Sequence, residues 1–110
     1  MTEEEVRSAY KHPDDTKEIE DLLAKIKKEN PDDLITNPYN DGHLYVGQTR
    51  GNIKHGIGEF FWPGRKRARF IGEYREDHRN GLGKMEHADG SVYDGFWLND
   101  KKNGRGKFKF

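Results

Sequence analysis

The chain has 110 residues, 31% hydrophobic and 36% charged, with mean hydropathy -1.19, 20 basic against 20 acidic side chains and no cysteine. That is one domain plus an appendage at most, with too little apolar matter for a thick two-sided core, and it favours a thin architecture. Balanced charge argues against a general attraction to nucleic acid or an anionic membrane, and the missing cysteine excludes disulfides, thiolate metal sites and a cysteine nucleophile. No run approaches the roughly 18 apolar residues of a membrane span, and the charge of "MTEEEVRSAY" is wrong for a signal peptide. The expectation is therefore a soluble, cytoplasmic protein.

Residues 1–13 show no periodic pattern and are expected to be frayed. Across 14–30, "DDTKEIEDLLAKIKKEN" places Ile19, Leu22, Leu23 and Ile26 at i, i+3, i+4 and i+7, one face of an amphipathic helix. Asp15 with Glu18 three residues on forms a capping-box variant, and Asn30 before Pro31 marks the stop. Acidic residues lie early and Lys25, Lys27 and Lys28 late, complementing the helix dipole. A helix of this length is marginal alone, so its apolar stripe needs a cover, on this chain or on a partner. Residues 31–42 are a connector, within which Leu34 to Tyr39 reads as a degenerate strand.

Glycine is absent from residues 1–41, and all 13 glycines follow. From 43 to 110 the chain repeats, with units starting at Tyr45, Phe70 and Tyr93. Gly47, Gly72 and Gly95 align, as do His55, Asn80 and Asn103, then Gly56, Gly81 and Gly104, then Gly58, Gly83 and Gly106. Strand parity puts Tyr93, Gly95 and Trp97 on one face, and Gly104, Gly106 and Phe108 on one face of the next strand. If both rows share a side of the sheet, rings from one strand lie over glycines of its neighbour, so that a single layer buries aromatic area. Thr49 stands where a ring is expected, which predicts loose packing there. Parity leaves Val46, Ile57, Phe61, Ile71 and Leu82 on the opposite face, then Asp94, Arg105, Lys107 and Lys109 with Phe96 alone among them.

These residues resemble the MORN (membrane occupation and recognition nexus) repeat, Tyr-x-Gly-x-Trp followed by His/Asn-Gly-x-Gly and an Asp-Gly turn, over roughly residues 40–110. The resemblance implies an elongated, twisted antiparallel sheet of stacked hairpins, about six strands, joined here to one N-terminal α-helix. It also implies a scaffold or binding module rather than an enzyme, of the kind found in ciliary and cytoskeletal assemblies, at membrane junctions and beside enzymatic domains. Thr49 in place of a ring, and Asn80 and Asn103 in place of His, depart from the pattern.

Catalytic and metal readings fail on inventory. The five histidines, His12, His43, His55, His78 and His87, are scattered, and no two stand at i, i+4 on a helix. Ser8 and Ser91 lack a neighbouring base pattern, and "GNIKHGIG" lacks the Lys-Ser/Thr of a phosphate loop. Asp14 with Asp15 and Asp32 with Asp33 read as caps and turns. A turn-stabilising hydrogen bond explains the His55, Asn80 and Asn103 column. No catalytic residue, metal or cofactor is expected.

Two classes of partner remain. The first is another protein, gripped through Tyr74, Tyr93, Trp97 and Phe108 and through the stripe Ile19, Leu22, Leu23 and Ile26; nucleic acid is not expected, and the terminal strand edge allows an oligomer. The alternative is anionic lipid, held by Arg65, Lys66, Arg67 and Arg69 on a turn. Regulation of a separate enzyme is a third outcome that the residues do not separate from scaffolding.

Overall fold

A computed structural model describes residues 16–39, 42–64 and 67–109. Helix α1 (Thr16–Glu29) is followed by a 3-10 turn at Pro31–Asp33 and by strands β1 (Ile35–Pro38), β2 (Leu44–Arg50), β3 (Ile53–Trp62), β4 (Ala68–Arg75), β5 (His78–Glu86), β6 (Val92–Leu98) and β7 (Lys101–Lys109). All seven strands form one antiparallel sheet in chain order. The strand beyond the expected six is β1, the segment anticipated as degenerate. Segment 1–13, expected to be frayed, the cap expected at Asp15, and Arg65 and Lys66 lie outside the described residues.

The register follows from glycine. Gly47 pairs with Gly58, Gly58 with Gly72, Gly72 with Gly83, Gly83 with Gly95, and Gly95 with Gly106. A stripe without side chains therefore crosses six strands, and the first ring of each unit lies in it. A Cβ on Gly58 would stand 2.6 Å from the Tyr45 ring, while Cβ atoms on Gly83 and Gly106 would collide with the Phe70 and Tyr93 rings. The other glycine of each Gly-x-Gly has a different task, which parity alone did not separate. Gly56, Gly81 and Gly104 have φ of +99°, +111° and +73°, the left-handed region that side chains disfavour.

At that kink the second strand of each unit carries a bulge, its extra residues facing Gly47 to Thr49, Gly72 to Tyr74, and Gly95 to Trp97 of the first strand. In the first two units the side chain opposite the bulge repairs the ladder: Gln48 Oε1 accepts from Ile57 N–H at 2.9 Å, and Glu73 Oε2 from Leu82 N–H at 2.8 Å. The equivalent residue in the third unit is Phe96. Tight turns at Glu76–Asp77 (φ 51° and 73°) and Asn99–Asp100 (47° and 71°) have positive φ at both central residues, the hand that matches strand twist.

Two cores share no residue. On one face Tyr45, Phe70, Tyr74, Met85, Tyr93 and Trp97 are buried together. On the other, Ile19 and Leu23 of α1 are buried against Ile57, Ile71, Leu82 and Phe96, with Ile26 and Leu34 at the margin. The helix stripe is thus covered in cis, except for Leu22, which is 49% exposed. Phe96, expected to stand alone among charges, is buried beneath α1 because the helix starts over β6, where Thr16 Oγ1 donates to Asp94 Oδ1 at 2.6 Å.

Candidate interaction site

On the ring face, aromatic side chains form a ladder in which each edge meets the next face. Tyr45 meets Tyr74, Tyr74 meets Phe70, Phe70 meets Trp97 and Trp97 meets Tyr93, with centroids 5.3 to 5.4 Å apart and planes 83° to 86° from parallel. That geometry brings a positive ring edge onto a negative ring face. Polar ends of the rings find backbone partners: Tyr45 OH donates to Gln48 O at 2.6 Å, Tyr93 OH to Phe96 O at 3.1 Å and Trp97 Nε1 to Gly83 O at 3.0 Å. Burial raises the Tyr45, Tyr74 and Tyr93 hydroxyl pKa values. Thr49, lacking a ring, is half-buried where Tyr74 and Trp97 are buried.

Tyr74, Tyr93 and Trp97 therefore hold the face together, and their rings are not presented to a partner as the sequence reading expected. Phe108 is presented: it packs on Tyr93 with centroids 4.9 Å apart but remains 56% exposed. β7 also carries Lys101, Lys102, Arg105, Lys107 and Lys109, all exposed, of which Arg105, Lys107 and Lys109 lie on the face opposite Phe108. The chain is neutral in total, yet this strand is wholly basic.

Sequence reasoning missed one cation per unit on the ring face. Lys54 Nζ lies 5.5 to 5.9 Å from the centroids of Tyr39, Tyr45, Phe60 and Tyr74. Arg79 lies 4.8 Å over Trp97 and within 6 Å of Phe70 and Trp62, and Lys102 lies 4.9 Å over Phe108 and 5.2 Å over Tyr93. The signal stood in the alignment, as the residue immediately before His55, Asn80 and Asn103. Turn aspartates hold the first two cations: Asp77 accepts from Lys54 Nζ at 2.9 Å, and Asp100 from Arg79 Nε at 3.2 Å.

The back face is bounded by charge. Glu59, 3% exposed, pairs with Lys27 of α1 and accepts from Arg69 Nε at 2.8 Å; Arg69 Nη1 also donates to Glu86 at 2.9 Å; Lys84 pairs with Glu20 of α1 and lies 3.6 Å from Glu86. Signs alternate around this rim from Glu20 through Lys84, Glu86, Arg69 and Glu59 to Lys27. Of the basic turn, Arg69 is thus committed to two carboxylates, and Arg67 is exposed.

Acid–base groups near the bulges are also engaged. A depression of about 240 Å³ is lined by His55, Ile57, Glu73, Tyr74, Arg75 and Asn80. In it His55 Nδ1 accepts from Glu76 N–H at 3.2 Å, while Glu73 caps the Leu82 N–H. The bond expected for the whole His/Asn column is seen at His55; among the described residues Asn80 and Asn103 make no side-chain hydrogen bond of that kind. Among the same residues no three His, Asp or Glu side chains converge as metal ligands, and no helix is long and apolar enough to cross a membrane.

The family model for the MORN repeat matches residues 45–66, 70–92 and 93–110, more than half of the sequence. The chain is 33% identical over 72 residues to MORN repeat-containing protein 3 of Xenopus laevis, an alignment covering 60% of this chain and 30% of that protein. It is 29% identical over 69 residues to alsin of Homo sapiens and of Mus musculus, covering 60% of this chain and 4% of alsin. The chain thus spans well under half the length of these relatives.

Proposed function

Because the chain belongs to the MORN repeat family, whose members are in general protein- and membrane-interaction modules, we propose that it is a non-catalytic protein-docking module. The observation that carries this reading is the basic edge strand β7, where Phe108 stands 56% exposed on the ring face beside Lys102 while Arg105, Lys107 and Lys109 stand exposed on the opposite face. An exposed aromatic anchor on a strand whose charged residues are all basic fits an acidic protein surface: the ring supplies buried area, and the cations steer association. The rest of the sheet supplies rigidity, its ring face closed by its own cations and its back face by α1. The working setting we propose is cytoplasmic, on a cytoskeletal or ciliary assembly. Phosphoinositide binding through the 65–69 turn has less support, since Arg69 is held by Glu59 and Glu86.

The test is affinity capture from ciliated-cell lysate with the wild-type chain, with Phe108→Ala combined with Lys107→Ser, and with Arg67→Ser, beside sedimentation with phosphoinositide vesicles. A defined protein set lost with the β7 variant and kept with Arg67→Ser supports protein docking. Vesicle binding lost with Arg67→Ser, and no β7-dependent capture, overturns it in favour of lipid.

A further inference from the structure

The back face is a preformed seat for an amphipathic helix, and three observations bear on whether α1 owns it permanently. First, the seat is complete without α1. Ile57, Ile71, Leu82 and Phe96 come from β3, β4, β5 and β6, and the strands themselves carry the charged rim. Arg69 joins Glu59 to Glu86 within the sheet, leaving Glu59 at one end and Lys84 at the other as the two contacts for an incoming helix.

Second, the sheet does not need α1 for its other core. The ring ladder from Tyr45 to Phe108 shares no buried residue with the helix-covered cluster. The glycine stripe and the turn aspartates tie the units together from within the sheet. Third, the hold of α1 is small. Only two apolar side chains, Ile19 and Leu23, are buried on the face together with Thr16 at the helix start, Ile26 is marginal, and Leu22 stays half in solvent. The polar contacts of α1 include Thr16 with Asp94, Glu20 with Lys84 and Lys27 with Glu59. A 14-residue helix has little tendency to persist in water by itself, so α1 is either on this face or unfolded.

We propose that α1 is a displaceable cover, and that the face beneath it is the docking surface for an amphipathic helix of a protein partner. The seat defines that helix chemically: apolar residues at i, i+4 and i+7 to pack on the cluster of Leu82, Ile71, Ile57 and Phe96, an acid one residue after the first apolar position to reach Lys84, and a lysine seven residues beyond the acid to reach Glu59. Residues Ile19, Glu20, Leu23, Ile26 and Lys27 are one solution, supplied in cis. This rests on the protein-docking reading, but it concerns a different surface from β7, so each can fail without the other.

The probe is a fluorescent peptide of the sequence from Thr16 to Asn30, titrated into the whole chain and into Leu23→Asp, which puts a charge where α1 is most deeply buried. Near-ultraviolet circular dichroism of the ring ladder reports whether the sheet stays folded. Leu23→Asp is expected to keep the ring-face signal and to bind the peptide at least about tenfold more tightly than wild type, because a tethered competitor has been removed. Lys84→Glu in that background is expected to weaken binding, and a peptide carrying Glu20→Lys restores it. Loss of the ring-face signal in both Leu23→Asp and Lys27→Glu would show that the cores are not independent and overturn the proposal. So would a folded Leu23→Asp that ignores the peptide, or binding indifferent to both charge reversals. To check against loss of folding by the aspartate alone, Lys27→Glu, at the exposed end of α1, is measured in parallel and is expected to tighten peptide binding in the same direction. A wild-type dimer that the peptide dissociates would assign the face to a second copy and overturn the partner reading.

Discussion

Asp100 and Arg79 grip each other at four points: the carboxylate accepts from Arg79 N–H at 2.9 Å and from Nε at 3.2 Å, Asp100 N–H donates to Arg79 O at 3.0 Å, and Arg79 Nη2 donates to Asp100 O at 3.0 Å. Asp77 and Lys54 repeat the arrangement one unit earlier, with Asp77 N–H on Lys54 O at 2.8 Å and Lys54 N–H on Asp77 Oδ1 at 3.2 Å. A turn of one hairpin therefore locks the ring-face cation of the preceding hairpin. The cation in turn lies over rings of both.

The acid dependence of stability follows from these locks. Burial pushes the Asp100 carboxyl pKa up, but hydrogen bonds from His78 and Arg79 outweigh it and hold the group below the usual carboxylate range; Lys54 does the same for Asp77. A carboxylate depressed in the folded state contributes stability that is fully present above the unfolded value and lost as pH falls through the folded one. The urea midpoint of the wild type is therefore expected to drop below about pH 4. Asp100→Asn should lower the midpoint at pH 7 and flatten that drop. An unchanged pH profile in the variant would remove Asp100 from the lock.

Gly83 separates packing from backbone freedom. It has no positive φ, yet a Cβ there would enter the Phe70 ring and stand 3.2 Å from Trp97 Cδ1. Gly83→Ala is expected to cost about 1–3 kcal/mol by overpacking, measured by urea unfolding. Gly90→Ala, with φ +89° and open space around it, should cost about 1 kcal/mol through strain alone. Equal losses would contradict the stripe.

Trp97 tests the ladder. Trp97→Phe keeps an aromatic ring but strips the buried Gly83 carbonyl of its indole donor. A loss of about 1–3 kcal/mol is expected. A double-mutant cycle of Phe70→Leu with Trp97→Leu should show a coupling of about 0.5–1.5 kcal/mol. No coupling would mean that the edge-to-face contact contributes only buried area.

Glu59 tests the rim. It is 3% exposed between Lys27 and Arg69, so Glu59→Gln leaves two cations without their shared carboxylate. Destabilisation of about 3 kcal/mol is expected, partly recovered by adding Lys27→Met. Full retention of stability in Glu59→Gln would show that solvent, not Glu59, balances those charges.

The sequence by itself determined the repeat, the helix and which residues share a face, because periodicities of 2 and 3.6 and the spacing of glycine are local properties of the chain. Tyr45, Phe70 and Tyr93 lie over glycines as parity required, and Ile19 and Leu23 meet Ile57 and Ile71. What only the tertiary structure decided depends on register between strands. Two glycines in each Gly-x-Gly look alike in sequence, yet one pairs across the sheet beneath a ring and the other turns the backbone to positive φ. Tyr74 and Trp97 looked like contacts for a partner; the ladder buries them because each ring's face is filled by the next unit's edge. Arg69 looked like part of a free basic cluster until strand pairing brought Glu59 and Glu86 to either side of it. Lys54 and Arg79 drew no reading from the sequence, but the same pairing put rings beneath them and turn aspartates at their ends. Local pattern specifies a face, and only the folded sheet specifies what stands opposite.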